Sequence, residues 1–230
     1  MSNTRNRFVH INQRIEQAFT QSGRSTGNPV TLLAVSKHHS LKKIHALYEL
    51  GQRDFGESYL QEALTKINAS SDSDIIWHFI GPIQSNKTKE IAQNFQWVDS
   101  VDRLKIARRL SAQYSDKALP LNICLQINIS QETQKSGFSS SEIFSIIEEI
   151  IDLPHLAIRG LMAIPKPTDN VTQQKKAFHE LNELMQQLNK QFKLNMDTLS
   201  MGMSNDLESA IIEGATIIRV GTSLFGPREY

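Results

Sequence analysis

Lys37 closes an apolar run, Val30-Thr31-Leu32-Leu33-Ala34-Val35-Ser36, of the kind that forms a strand buried on both faces. An ammonium group has no packing use at the end of such a run. Partial desolvation favours its neutral amine, which attacks carbonyl carbon. Taken alone, the residue reads more readily as a lysine whose head snorkels into water at a strand end. Two segments near the other end of the chain shift the balance. In Ser200-Met201-Gly202-Met203-Ser204-Asn205-Asp206-Leu207-Glu208, small residues lead into a helix start, with Asn205 and Glu208 spaced as in a variant capping box. Free backbone N–H groups at such a start favour an anion. In Arg219-Val220-Gly221-Thr222-Ser223 a glycine lets the backbone approach a ligand, and the hydroxyls after it can donate to that ligand.

The elements that must position these residues alternate by period. Short β-rich runs occupy Val30 to Ser36, Arg53 to Phe55, Ile75 to Ile80, Trp97 to Val98, Leu121 to Ile127, Ala157 to Met162, Thr198 to Ser200 and Thr216 to Val220. Between them the spacing predicts helices at Leu41 to Leu50, Leu60 to Ile67, Lys87 to Asn94, Arg103 to Tyr114, Ser140 to Ile151, Val171 to Phe192 and Asp206 to Glu213. Eight such units in 230 residues suit a (β/α)₈ TIM barrel in the α/β class, read as one domain over 1–230, with a doubly wound sheet as the alternative. Phe8, Ile11, Ile15 and Phe19 add a leading helix. Its arginines, Arg5, Arg7 and Arg14, lack acidic company as in a transit segment, but the helical spacing continues past Glu16 and argues for an integral element.

In a barrel the strand ends converge on one mouth. There they would gather Lys37, Glu57, Ser58, Gly81, Asn128, Met162, Ser200 to Gly202, Gly221 and Thr222. The loops after the seventh and eighth strands are where barrels commonly hold phosphate. A lysine nucleophile facing a phosphate cradle suits a phosphorylated aldehyde held as a Schiff base, and pyridoxal 5'-phosphate (PLP) leads the candidates. Arg219 would then donate to the ring nitrogen. Arginine takes no proton from a pyridinium, so it leaves that nitrogen unprotonated and weakens the ring as an electron sink. An ion pair across the barrel is the other reading of Arg219.

Composition removes other classes. A net charge of +1 leaves no footprint for nucleic acid or an anionic membrane, and no apolar stretch is long enough to span a bilayer. The single cysteine, Cys124, lies in an apolar run and reads as an inert core thiol in a reducing, cytoplasmic setting. Ser40-Leu41-Lys42-Lys43 matches S-x-x-K without the partner motifs of a hydrolase. His38-His39 and His78 lack metal-site spacing and read as a solvated pair and a strand-edge histidine.

Longer blocks then become recognisable: LLAVSK ending at Lys37, FGESYLQE from Phe55, WHFIGPIQSNK from Trp77, QINIS from Gln126, KSG from Lys135, RGLMAIP from Arg159, LSMGMSND from Leu199 and RVGTSLFGPREY from Arg219. Over nearly its whole length the chain resembles the YggS/PROSC family of PLP homeostasis proteins, which are similar to the barrel domain of fold-type III enzymes such as alanine racemase. The resemblance implies Lys37 as the Schiff-base lysine, Ser204, Gly221 and Thr222 as phosphate ligands, and Arg219 as the ring-nitrogen partner. It further implies a monomeric, non-catalytic carrier that supplies PLP to apo enzymes. Ser58 stands where the family usually has asparagine, which shortens or removes any contact made by that amide.

A small amino-acid racemase is the alternative. It needs an acid/base on each face of the substrate carbanion, and Lys37 serves one face. The alanine racemases take the second base from an additional β domain, which does not follow the eighth unit here. Tyr59 is the remaining candidate, though a tyrosine opening a helix more often packs.

Overall fold

The β-rich runs pair edge to edge in chain order. The computed structural model describes residues 2–25, 29–70, 72, 74–114 and 118–227. Within these, β1 (Thr31–Val35), β2 (Asp54–Glu57), β3 (Ile76–Phe79), β4 (Trp97–Val101), β5 (Leu121–Gln126), β6 (Leu156–Met162), β7 (Thr198–Ser200) and β8 (Ile217–Val220) form a closed barrel in which β8 returns to β1. All eight pairings are parallel, which excludes the open doubly wound sheet. The helices are α1 (Ser2–Gln21), α2 (Leu41–Tyr48), α3 (Leu60–Ala69), α4 (Thr88–Asn94), α5 (Leu104–Gln113), α6 (Glu142–Ile151), α7 (Val171–Phe192), α8 (Leu207–Ile212) and α9 (Thr222–Phe225). Residues 26–28, which lead into β1, and the last three residues of the RVGTSLFGPREY block lie outside the described residues.

Successive side chains of a strand point to opposite faces of the sheet, and here the two faces differ sharply. Outward residues such as Leu32, Ala34, Phe55, Trp77, Phe79, Val98, Ile218 and Val220 join the helix faces in one apolar core. Leu33, Cys124, Met162 and Ile217 are equally buried but stand apart from that core, because they fill the barrel bore. Cys124 is inert there, its thiol pushed well up by burial. Helix α1 is integral, with Ile11, Ile15 and Ala18 buried and Arg14 forking onto Glu208 of α8 at 2.7 and 2.9 Å. No helix among the described residues is long and apolar enough to cross a membrane.

Candidate ligand-binding site

The strand ends place the expected residues on three neighbouring strands. Leu33 of β1 pairs with Arg219 of β8, and Ala34 with Val220. Carried two residues past Val35, the inward parity of β1 falls on half-buried Lys37. Gly221 lies alongside Val35, where a Cβ on the glycine would sit 3.5 Å from the Val35 carbonyl oxygen. The Arg219 N–H donates to Gly202 O at 3.0 Å, which brings the loop after β7 against β8. Gly202 is required at that point: its φ is +92°, and a Cβ would stand 2.5 Å from the Ala210 Cβ. Two residues on, Ser204 is half-buried, with its carbonyl accepting from Arg14 Nη2 at 2.9 Å.

Thr222 and Ser223 are exposed and open α9, a short helix that periodicity did not reveal. Gly221 O takes the N–H groups of Leu224 and Phe225, at 2.8 and 3.0 Å. The N–H groups of Thr222 and Ser223 precede the first helical acceptor and have no partner inside the helix. Lys37, Ser204, Gly221 and Thr222 thus share one arc of the mouth, with Arg219 just beneath it.

Arg219 is 5% exposed, and its two terminal nitrogens are engaged below the mouth. Nη1 donates to Ser200 Oγ at 3.0 Å and Nη2 to Ala163 O at 2.9 Å. Ser200 Oγ donates onward to Asp99 Oδ2 at 3.0 Å, and Asp99 Oδ1 meets His78 Nδ1 at the same distance. His78 Nε2 reaches Asp54 Oδ1 at 3.3 Å. This chain crosses the bore, so the ion pair foreseen for Arg219 exists only through a serine hydroxyl. Burial alone would lower the His78 pKa, but the facing carboxylates of Asp99 and Asp54 prevail and hold it at about 9. His78 is therefore an interior cation stacked on Trp97 at 5.2 Å, not a strand-edge residue.

Other expectations change as well. Glu57 does not face the mouth. It is fully buried on the outer side of β2, because it shares the parity of Phe55. The Asn205/Glu208 capping box does not form: α8 starts at Leu207, Asp206 Oδ1 accepts the Met203 N–H at 2.6 Å, and Glu208 is taken by Arg14. His39 is 5% exposed rather than solvated and stacks on Phe225 of α9 at 4.7 Å. Asn128 spends its amide on the carbonyls of Glu132 and Lys135 in its own loop. Tyr59 is half exposed rather than packed into the core, its ring 4.8 Å from that of His38.

Sequence reasoning missed Asp99 and the outer pair of Glu57 with Lys66. Strand parity was the available signal for Glu57. For Asp99 there was none, since its partners lie on other strands.

A closed parallel barrel with its polar residues gathered where β7, β8 and β1 end is a ligand-binding β/α barrel. The model of the alanine racemase N-terminal domain family matches residues 12–229. A pyridoxal phosphate homeostasis protein of Pseudomonas aeruginosa is 51% identical over 230 residues, covering 100% of this chain and 98% of its own. Among solved structures, PipY of Synechococcus elongatus without PLP superposes with a TM-score of 0.85 at 32% identity, covering 96% of this chain and 99% of PipY. PipY with PLP bound gives 0.80 at 34% identity, over 93% and 100%. An alanine racemase of Clostridium difficile shares the fold at a TM-score of 0.76 and 12% identity, over 97% of this chain and 59% of the racemase. The chain belongs to the alanine racemase N-terminal domain family and, within it, to the pyridoxal phosphate homeostasis proteins.

Proposed function

We propose that this chain binds PLP at the β7–β8–β1 arc and serves its homeostasis as a cytoplasmic, monomeric carrier that passes PLP to apo enzymes, without turning over amino acids. The observation that carries the reading is the β1–β8 register, which brings Gly221 and the donors of α9 alongside the end of β1, from which half-buried Lys37 follows, in a family whose member PipY has been solved with PLP bound. The donor set suits the cofactor. Among the described residues, no atom beyond the chain neighbours of Gly221 comes closer than 3.5 Å to where its Cβ would sit, so the backbone there is open to a ligand, and its φ of −110° with ψ of −94° lies outside the regions that other residues favour. Arginine has five N–H donors, and its bonds to Ser200 and Ala163 use two of them. In this reading Lys37 holds the aldehyde carbon as a Schiff base, Ser204, Gly221 and Thr222 hold the phosphate, and Arg219 donates to the ring nitrogen.

Bound PLP supplies an electrophilic carbon and a ring that can withdraw electrons. Arg219, unable to accept a proton, limits the second property. Burial lowers the Arg219 pKa and the Asp99 carboxylate beyond Ser200 offsets only part of that, but a guanidinium is basic enough to stay cationic, which favours storage over carbanion chemistry. Borohydride treatment followed by peptide mass mapping tests the assignment: we expect the adduct on Lys37, and an adduct confined to Lys135 overturns it.

One observation favours the racemase reading, the exposed Tyr59 ring against His38, next to Lys37. Exchange of α-protons into deuterated water across L- and D-amino acids decides between the two, with Lys37→Ala as the blank. Lysine-dependent turnover in the ordinary enzyme range of about 1–10³ s⁻¹ would replace the carrier with a racemase.

A further inference from the structure

The peptides on either side of Lys37 are held by one buried ammonium group. Parity sends Ser36 and Glu57 to the outer face of the sheet, where α3 covers them and supplies Lys66, itself only 7% exposed. Lys66 Nζ donates to Ser36 O at 2.8 Å, to Glu57 Oε1 at 2.7 Å and to Glu62 Oε1 at 2.6 Å. Three donors are all that an ammonium has. Ser36 Oγ donates to the same Glu57 oxygen at 2.6 Å, and Glu62 Oε1 also accepts the His38 N–H at 2.6 Å. The Ser36 carbonyl belongs to the peptide just before Lys37, and the His38 N–H to the peptide just after it.

Packing does not explain this arrangement. An apolar pair of similar volume would fill the gap between β1, β2 and α3 without desolvating charges. Glu57 Oε2 is buried with no hydrogen-bond partner among the described residues. His38 takes φ +62°, a left-handed conformation that is uncommon outside glycine though histidine tolerates it better than most residues. That φ belongs to the third position of the turn closed by His39 N–H donating to Ser36 O at 3.0 Å, the carbonyl Lys66 also holds, while the His38 N–H donates to Glu62, the second carboxylate that Lys66 binds.

We propose that Lys66 is a positioning residue for Lys37. Acting through Ser36 O and through Glu62, it fixes the backbone on both sides of Lys37 and so sets the direction of that side chain before any ligand arrives. The inference rests on reading Lys37 as the attachment point for PLP, and the test separates the two.

Hydrogen exchange is measured by mass spectrometry on ligand-free wild type, Lys66→Met, Lys66→Arg and Glu62→Gln, and loss of PLP is followed on the loaded proteins. Lys66→Met should speed exchange of the peptide holding His38 at least tenfold, leave the β4 and β5 peptides unchanged, and speed PLP loss at least tenfold. Lys66→Arg, which keeps a cation with several donors, should recover most of both. Glu62→Gln retains the Lys66–Glu57 pair, folds even where Lys66→Met does not, and should give about threefold effects confined to the same peptide. Unchanged exchange at His38 in Glu62→Gln and in the folded Lys66 variants would overturn the proposal. Exchange raised equally around the barrel would also overturn it, by showing a purely structural role. A borohydride adduct on another lysine, with the local response at His38 intact, would remove the attachment reading and uphold the clamp.

Discussion

Two buried charged clusters lie on opposite faces of the same sheet. The inner one runs Asp54, His78, Asp99, Ser200, Arg219 and joins β2, β3, β4, β7 and β8 across the bore; its longest link, Asp99 to Ser200, spans 101 residues of sequence. The outer one, Ser36, Glu57, Lys66 and Glu62, joins β1, β2 and α3 through separations of 4 to 30 residues. The first forms only when the barrel closes, whereas the second can form within one β/α/β/α segment. Damage to the inner cluster should therefore be felt by the whole barrel, and damage to the outer cluster near Lys37.

The largest expected effect is on the inner side. Asp99→Asn leaves the His78 cation and the Arg219 relay without their shared carboxylate. It should cost about 3–5 kcal/mol in urea unfolding, the range for removing one member of a buried charge pair. A change within measurement error would show that the bore does not depend on the network.

Proton linkage comes next. His78 is held at about 9 against an ordinary 6.5, so its contribution is fully present below pH 6.5 and is lost as pH rises from 6.5 to about 9. The loss should be about 3 kcal/mol, since each pH step of one between those two values is worth about 1.4 kcal/mol. His78→Gln should flatten that slope. Burial raises Glu57 above its ordinary 4.5, so the outer cluster loses stability as pH rises from 4.5 towards the raised value. Glu57→Gln should remove this acid-side slope and leave the alkaline one, and a single slope common to both variants would merge the two clusters into one.

At the mouth, Ser204→Ala and Thr222→Ala should each weaken PLP binding by roughly 1.5–3 kcal/mol, the range for a hydrogen bond to a charged group. Dephosphorylated pyridoxal should bind the wild type more weakly than PLP does; equal affinities would remove the cradle. The smallest effect is expected for Arg14→Ala. It frees the Ser204 carbonyl and Glu208 at a partly exposed site and should change unfolding stability by about 1 kcal/mol or less.

The same contrast explains what the sequence made legible. α7 was readable residue for residue because its apolar period is strong and its flanks polar, and the bounds of the short β7 matched as well. β2 was cut at Phe55, although Gly56 and Glu57 complete it: both residue types are poor strand formers, and only pairing with His78 and Phe79 of β3 makes them a strand. β4 was cut at Val98 because Asp99 and Ser100 look like a loop, yet both are buried, one in the bore and one donating to Gly81 O at 2.6 Å. Lys37 and the two polar loops could be found because their chemistry is local. The supports beneath them are set by strand parity and closure, which no short window of sequence contains.

The bidentate bond between Arg14 and Glu208 also bears on how the molecule is made. Its partners are 194 residues apart, so α1 leaves the ribosome long before α8 exists. At a synthesis rate of about 5–20 residues per second, the apolar stripe of Ile11, Ile15 and Ala18 waits on the order of 10–40 s for its cover. Throughout that interval α1 lacks α8 and α9, the helices against which it packs most closely, and has only α2 beside it. Its docking onto α8 and α9 waits until the last turns of the barrel have been synthesised.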